Sequence, residues 1–277
     1  MGTGSWIARG FRLYLSHWRR LAAGAVVLLL LYFALIALAL GGGTAHITPF
    51  VLDNLAEVGW DSLKDSPGWL IAILAVLDFT VVAMFYLGYS FYVLKLVRNE
   101  KSTFLDILFP FKMSLRVIGV TVLYRLVVFL GLIPGLPVIF IFGIGRSSTA
   151  GIVAGSILSA PGFFYMMTSF FFGSIALVDR DLGPIRALSE SWHITGGRRF
   201  SIFLMIFLFQ ILEGFLKALS GIFFLKPASA VASAVAFYGA LYYLFLLPWS
   251  YAAYMSAYED LLVEAHPAEE PPLPLPT

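Results

Sequence analysis

Long apolar runs separated by short polar segments dominate the sequence. A helix needs about 20 apolar residues to cross the hydrocarbon core of a bilayer, and backbone that faces lipid must satisfy its own hydrogen bonds. Runs of this length therefore predict membrane-spanning helices rather than strands. Six runs qualify, at residues 21–40, 68–97, 117–144, 151–178, 200–225 and 229–257. The pattern predicts an all-α polytopic membrane protein with six transmembrane helices.

Two of these runs carry proline and glycine within their length. Pro134 and Gly135 lie in the third run, and Pro161 and Gly162 lie in the fourth. Proline lacks the backbone donor that an α-helix uses, and its ring clashes with the preceding turn. We therefore expect helix breaks or kinks at both positions.

The composition agrees with a membrane protein and limits the chemistry. Hydrophobic residues make up 60% of the 277 positions and charged residues 12%, against about 45–50% and about 25% in soluble domains. The chain has no cysteine, which excludes disulfides and thiolate metal sites. Its four histidines have no ligand-like spacing. We predict no metal and no cofactor.

The distribution of positive charge predicts the orientation in the membrane. If the N-terminus is cytoplasmic, 13 of the 18 Lys and Arg residues lie on the cytoplasmic side and three on the other side. By the positive-inside rule both termini are then cytoplasmic. The first run exceeds the roughly 7 to 15 apolar residues of a signal peptide, so we expect it to be a retained anchor.

The same pattern divides the chain into three parts. Residues 1–20 are predicted to form an N-terminal cytoplasmic amphipathic helix, and residues 21–263 the six-helix transmembrane domain. Residues 264–277 are acidic and proline-rich, which predicts a disordered tail.

Two polar turnarounds connect predicted spans on the cytoplasmic side. We call residues 98–116 elbow 1 and residues 179–199 elbow 2. Short amphipathic helices are expected here, and in elbow 2 the expected helix covers residues 184–193. Such helices lie in the membrane interface rather than across the bilayer.

Elbow 2 has the clearer pattern of the two. Ile185, Leu188 and Trp192 recur at i, i+3 and i+7, which places them on one helix face. We expect that face to meet the membrane, with Trp192 buried in the headgroup region. Arg198 and Arg199 then hold the start of span five at the headgroups.

A basic residue precedes each odd-numbered span, at Arg20, Arg116 and Arg199, and apolar positions before it recur at matching offsets. One interpretation is three repeated units, each an elbow helix followed by a transmembrane hairpin. The other is that a polytopic protein places a basic amphipathic segment before any span that starts in the cytoplasm.

Two stretches carry a resemblance to a known family. The first is LVDRDLGPIRALSESWHITGGRRF, preceded by APGFFYMMTSFFFGSIA, and the second is YLGYSFYVLKLVRNEKSTFLDILFPF. They resemble uncharacterised bacterial six-span membrane proteins, the YciC-like group and the membrane domain appended to some glycerophosphodiester phosphodiesterases. The resemblance covers most of residues 85–210. It implies a six-helix fold in the bacterial cytoplasmic (inner) membrane, and it implies no common activity.

Two ionisable residues fall near the middle of predicted spans. Asp78 lies ten residues into span two, and Arg125 lies nine residues beyond Arg116 in span three. At 1.5 Å per residue both reach roughly 14 Å, near the midplane of the bilayer. Such groups cost about 2.5–3.5 kcal/mol each to insert, so we expect the two to face each other. They form either a structural pair or a substrate or ion site.

Small residues predict close helix packing in span four. Gly151, Gly155 and Ser159 recur every fourth residue. This face packs either within the chain or against a second copy or a partner.

The functional expectation is a membrane module without enzymatic activity. Neither paired carboxylates, nor a serine with a base, nor a metal cluster is visible in the sequence, and no phosphate-binding loop or nucleic-acid module is present. We expect the chain to bind or assist another membrane protein. The alternative is a carrier or small channel for lipid-like or small polar substrates, using spans three and four and the midplane charges. Expected partners are membrane lipids and another membrane protein or a second copy, and not nucleic acid.

Single-cysteine labelling tests the orientation, because the chain has no native cysteine. In intact cells an impermeant thiol reagent should label Ser62→Cys in the outer loop. Ser189→Cys in elbow 2 should stay unlabelled until the membrane is permeabilised. Labelling of Ser189→Cys alone in intact cells would reverse the topology.

Overall fold

A computed structural model describes residues 2–39, 78–144, 148–223 and 238–267. In these ranges the regular elements are all helical, which confirms the all-α prediction for this part of the chain. Four helical stretches are long and apolar enough to cross a membrane. They are Thr80–Val97, Phe104–Leu130, Thr149–Asp179 and Arg199–Leu219. The molecule is thus built as a membrane protein, and the count of six spans stays a prediction.

A succession of α-helices with several tighter or wider helical turns makes up the described ranges, and residues 238–241 are also α-helical. The α-helices are α1 (Thr3–Ala39), α2 (Ala83–Val97), α3 (Ser114–Leu130), α4 (Leu136–Val138), α5 (Thr149–Ser169), α6 (Gly173–Asp179), α7 (Pro184–Ile194), α8 (Arg199–Phe223) and α9 (Leu247–Ala265). A 3₁₀ helix covers Phe104–Met113, and π-helical turns cover Asp78–Val82, Ile139–Ile144 and Tyr242–Leu246.

The residues group into two compact units. The first contains Met1–Ser5, Met113–Ile206 and Ser256–Thr277, and the second contains Trp6–Lys112 and Phe207–Met255. Elbow 2 belongs to the first unit. Most of elbow 1, including its 3₁₀ helix up to Lys112, belongs to the second.

The expected N-terminal amphipathic segment and most of the expected first span both lie within α1, which joins two helical stretches. His17 has non-helical backbone angles, φ −122° and ψ 21°, so the helix is kinked close to the boundary expected at residue 20. In the second unit Trp249 Nε1 donates to the Ile7 carbonyl at 3.2 Å. At the other end of the chain α9 continues to Ala265, while residues 268–277 of the expected tail lie outside the described part.

Span three is interrupted at residues 131–135, a segment that contains Pro134 and Gly135. Here the backbone closes short bonds, such as Leu132 N to Phe129 O at 2.9 Å and Gly135 N to Leu132 O at 3.1 Å. The chain then continues through α4 alongside α5.

In span four the expected break at Pro161 and Gly162 is wrong. Helix α5 is uninterrupted through both residues, and the break lies at residues 170–172. A membrane helix tolerates proline where neighbouring groups satisfy the freed backbone. Gly162 has a packing role, since a Cβ there would lie 2.4 Å from the Gly131 carbonyl oxygen.

The small-residue face of α5 packs within the chain. A Cβ on Gly155 would lie 2.4 Å from Ile139 Cγ1 and 2.8 Å from the Gly135 oxygen. Ser159 Oγ donates to the Leu132 carbonyl at 2.8 Å, which adds a hydrogen bond at the break in span three. Of the two interpretations of this face, the structure favours internal packing.

In the second unit, α2 packs closely against the 3₁₀ helix of elbow 1. A Cβ on Gly88 would lie 1.8 Å from the Ile107 carbonyl oxygen. The Lys95 ammonium pairs with Asp106 Oδ1 at 2.7 Å, and Asp106 Oδ2 accepts from the Thr103 amide at 2.7 Å. The glycine and the ion pair together fix this elbow against the end of α2.

Gly88→Ala should destabilise the protein strongly, because its methyl group would collide with backbone rather than with a movable side chain. Overpacking of this kind costs about 1–3 kcal/mol or more. Gly214→Ala in α8 is the control, since a Cβ at that position would have no neighbouring atom within 4 Å and alanine favours a helix by about 1 kcal/mol. Melting in detergent, followed by fluorescence-detected size exclusion, measures both variants. Equal melting of Gly88→Ala and wild type would contradict the close approach.

Candidate functional site

Elbow 2 brings many polar contacts of the first unit together. Its turns depend on residues suited to them. Asp181 has φ 49°, a left-handed conformation that Asp tolerates better than most residues, and Gly197 has φ 76°. Pro184 starts α7, where its missing N–H has no helical partner in any case.

A buried hydroxyl network closes the break at residues 170–172. Ser191 Oγ donates to the Ser169 carbonyl at 3.0 Å and accepts from the Phe172 amide at 3.1 Å. Thr195 Oγ1 lies 3.1 Å from the same Ser169 oxygen. Ser169, Ser191 and Thr195 are all fully buried. Two side chains of elbow 2 therefore replace backbone bonds that the interrupted span loses.

An ionic cluster ties the C-terminal end of α9 to elbow 2. The Glu190 carboxylate pairs with the Arg180 guanidinium, and His266 Nε2 lies 2.8 Å from Glu190 Oε1. Tyr258 donates to Asp179 Oδ2 at 3.0 Å. These groups hold three elements, α6, α7 and α9, in one arrangement.

Arg198 and Arg199, which the sequence pattern placed together as anchors, have different environments. Arg198 Nη2 bonds Glu264 Oε1 at 2.9 Å, and this contact holds the pKa of Glu264 below its usual range. The Arg199 guanidinium lies 4.1 Å from the Trp192 ring centroid and 4.7 Å from that of Tyr165. Its Nη1 donates to the Tyr165 hydroxyl at 2.6 Å. Arg199 is therefore held by aromatic rings, and Arg198 by a carboxylate.

The structure corrects the predicted faces of α7. Its buried side comprises Ala187, Leu188, Ser191 and Ile194, which pack on the protein. Ile185 is 76% exposed and Trp192 38% exposed, so these two form a separate apolar edge without Leu188. The i, i+3, i+7 pattern therefore grouped Leu188, which is buried against the protein, with Ile185 and Trp192, which are exposed. Whether that edge lies in the headgroup region stays a prediction.

Elbow 1 repeats the local design of elbow 2, in the second unit. Gly88 stands seven residues before Lys95, and Gly173 stands seven before Arg180. Gly173 also packs tightly on its elbow, since a Cβ there would lie 2.7 Å from Leu188 Cδ2. The cation then pairs with an acid 11 residues later in elbow 1 and 10 residues later in elbow 2. The match is visible in the sequence when the two stretches are aligned on Gly88 and Gly173 rather than on Arg116 and Arg199.

The expected midplane pair is only half described. Asp78 begins the π-helical turn before α2, but its side chain lies outside the described part. Arg125 lies on α3 with its side chain exposed. The pairing of Asp78 with Arg125 stays a prediction.

The polar groups of elbow 2 hold neighbouring helices together. Its acids contact cations or hydroxyl donors, and its buried hydroxyls contact backbone. In the described ranges, His, Asp and Glu form no group of three that could hold a metal ion.

No family model, curated protein or solved structure matches this chain.

Ser191→Ala should lower stability by about 1–3 kcal/mol, because it leaves the buried Phe172 amide without its acceptor. Ser189→Ala changes an exposed serine on the same helix, and its effect should stay within about 0.5 kcal/mol. Thermal unfolding of both variants in detergent compares them directly. If Ser191→Ala melts like Ser189→Ala, the hydroxyl does not support the break.

Proposed function

We propose that this chain is a non-enzymatic module of the bacterial cytoplasmic membrane that binds or assists another membrane protein. The proposal includes six spans, cytoplasmic termini and membership of the YciC-like group suggested by residues 85–210. The parallel geometry of the two elbows supports a repeated elbow-plus-hairpin unit within this fold.

The contacts at the break in span three favour a module over a carrier. The backbone at this break is hydrogen-bonded and packed against other residues of the same chain. In carriers, unwound backbone at a helix break faces the substrate or its coupling ion. Here the segment 131–135 closes i to i+3 bonds, receives the Ser159 hydroxyl and packs Gly135 against Gly155. Such a break supports helix packing rather than a substrate site.

The same hairpin offers apolar surface for a partner. Within Phe104–Leu130 only 17% of the residues in its 18-residue apolar stretch are buried, and the value for Thr149–Asp179 is the same. Phe129 is 54% exposed on α3 and Ile157 is 66% exposed on α5. Arg125 also exposes its side chain on α3, so a helix docking there meets a charged position within an apolar face.

Site-specific photo-cross-linking in cells tests this surface. A photoreactive residue at Ile157 should give a discrete protein adduct, whereas one at Val128, which is 9% exposed on α3, should not. Mass spectrometry of the adduct identifies the partner.

Two results would contradict the module. One is that Ile157 yields lipid adducts alone while elbow and fold are intact. The other is substrate flux in proteoliposomes that contain the purified chain only, which would establish the carrier instead.

A further inference from the structure

Arginines surround elbow 2, and most of them are charge-compensated. Three are paired with carboxylates of the first unit: Arg116 with Asp181 at 2.7 Å, Arg180 with Glu190, and Arg198 with Glu264 at 2.9 Å. These pairs connect segments of the chain, and in each pair the carboxylate compensates the positive charge of the arginine.

Arg199 differs from those three in the nature of its contacts. The groups that touch it are the Trp192 ring, the Tyr165 ring and hydroxyl, and the Trp192 carbonyl at 3.5 Å. All of these are neutral. Its Nε is buried and has no hydrogen-bond partner, and no carboxylate of the described ranges forms an ion pair with it. The positive charge of Arg199 is thus oriented but not neutralised.

The position of this guanidinium is the second observation. Trp192, which lies beneath it, belongs to the exposed apolar edge of α7 together with Ile185, and Phe200 beside it is 70% exposed. On the neighbouring face of α7, Arg186 and His193 are exposed. An apolar edge next to an exposed arginine, at the start of a helix long and apolar enough to cross a membrane, matches the boundary between acyl chains and headgroups.

We propose that Arg199 and the α7 edge bind an anionic phospholipid. The planar guanidinium fits two phosphate oxygens, and the two rings already hold its plane, so little side-chain freedom is lost on binding. The acyl region contacts Ile185, Trp192 and Phe200. A zwitterionic lipid brings its own cation near Arg199, which disfavours it relative to a lipid with net negative charge. Of the residues of this site only Tyr165 lies on α5, eight residues beyond Ile157.

Lipid retention measured by native mass spectrometry tests the proposal. Protein is incorporated into nanodiscs that contain equal amounts of phosphatidylglycerol and phosphatidylcholine, then released with its bound lipid. The wild-type chain should retain phosphatidylglycerol in preference. Arg199→Gln should lower that retention about tenfold, as expected for loss of a charge-assisted hydrogen-bonded contact.

Arg198→Gln is the matched control, because it removes an adjacent positive charge whose partner is Glu264. It should retain phosphatidylglycerol like the wild type. An equal loss in both variants would mean that only net charge matters, and no loss in Arg199→Gln would remove Arg199 from the site. Displacement of the lipid by millimolar inorganic phosphate would indicate a free-anion site and overturn the lipid assignment.

If Arg199→Gln does not fold, lipid retention by the wild-type chain alone still tests the proposal. Equal retention of the two lipids by the wild-type chain overturns the proposal. Failure here leaves the cross-linking result at Ile157 unaffected, since Ile157 is not among the residues that contact Arg199.

Discussion

A broken helix in an apolar environment must find new partners for its backbone, and in this protein Ser191 supplies them. Its hydroxyl contacts both sides of the break, the Ser169 carbonyl and the Phe172 amide. Water is scarce at such a position, so an unmet amide or carbonyl there is costly. The break between α5 and α6 therefore requires α7 to lie against it, and the rest of elbow 2 follows from that requirement.

Ion pairs and close glycine contacts then fix the elbow around this contact. Gly173 lets α6 approach Leu188, and Arg180 and Glu190 join the end of α6 to the middle of α7. Elbow 1 uses the same combination with Gly88, Lys95 and Asp106, although its helix is of the 3₁₀ type. In each turnaround a close glycine contact and an ion pair between residues 10 or 11 apart in sequence join the elbow to the helix before it.

Much of the helical content was predictable because apolar length alone determines it. The interruption at residues 131–135 contains the Pro–Gly pair that marked it in the sequence. The break at 170–172 had no such mark, since it lies in a run of phenylalanines and its partners are 19 to 26 residues further along the chain.

Periodicity predicted the helix of elbow 2 but not its buried side, because a periodic pattern does not distinguish contact with lipid from contact with protein. The environment of Arg199 likewise depends on Tyr165, 34 residues away.

The contacts of His266 have a practical consequence for any polypeptide joined directly after this residue. Helix α9 ends at Ala265, and the next residue is already held at Glu190. A reporter or affinity tag fused after His266, in place of residues 267–277, would thus leave the chain beside elbow 2 and close to α7. Such a fusion reports on access to this surface, and its linker length decides whether it shields the surface or leaves it open.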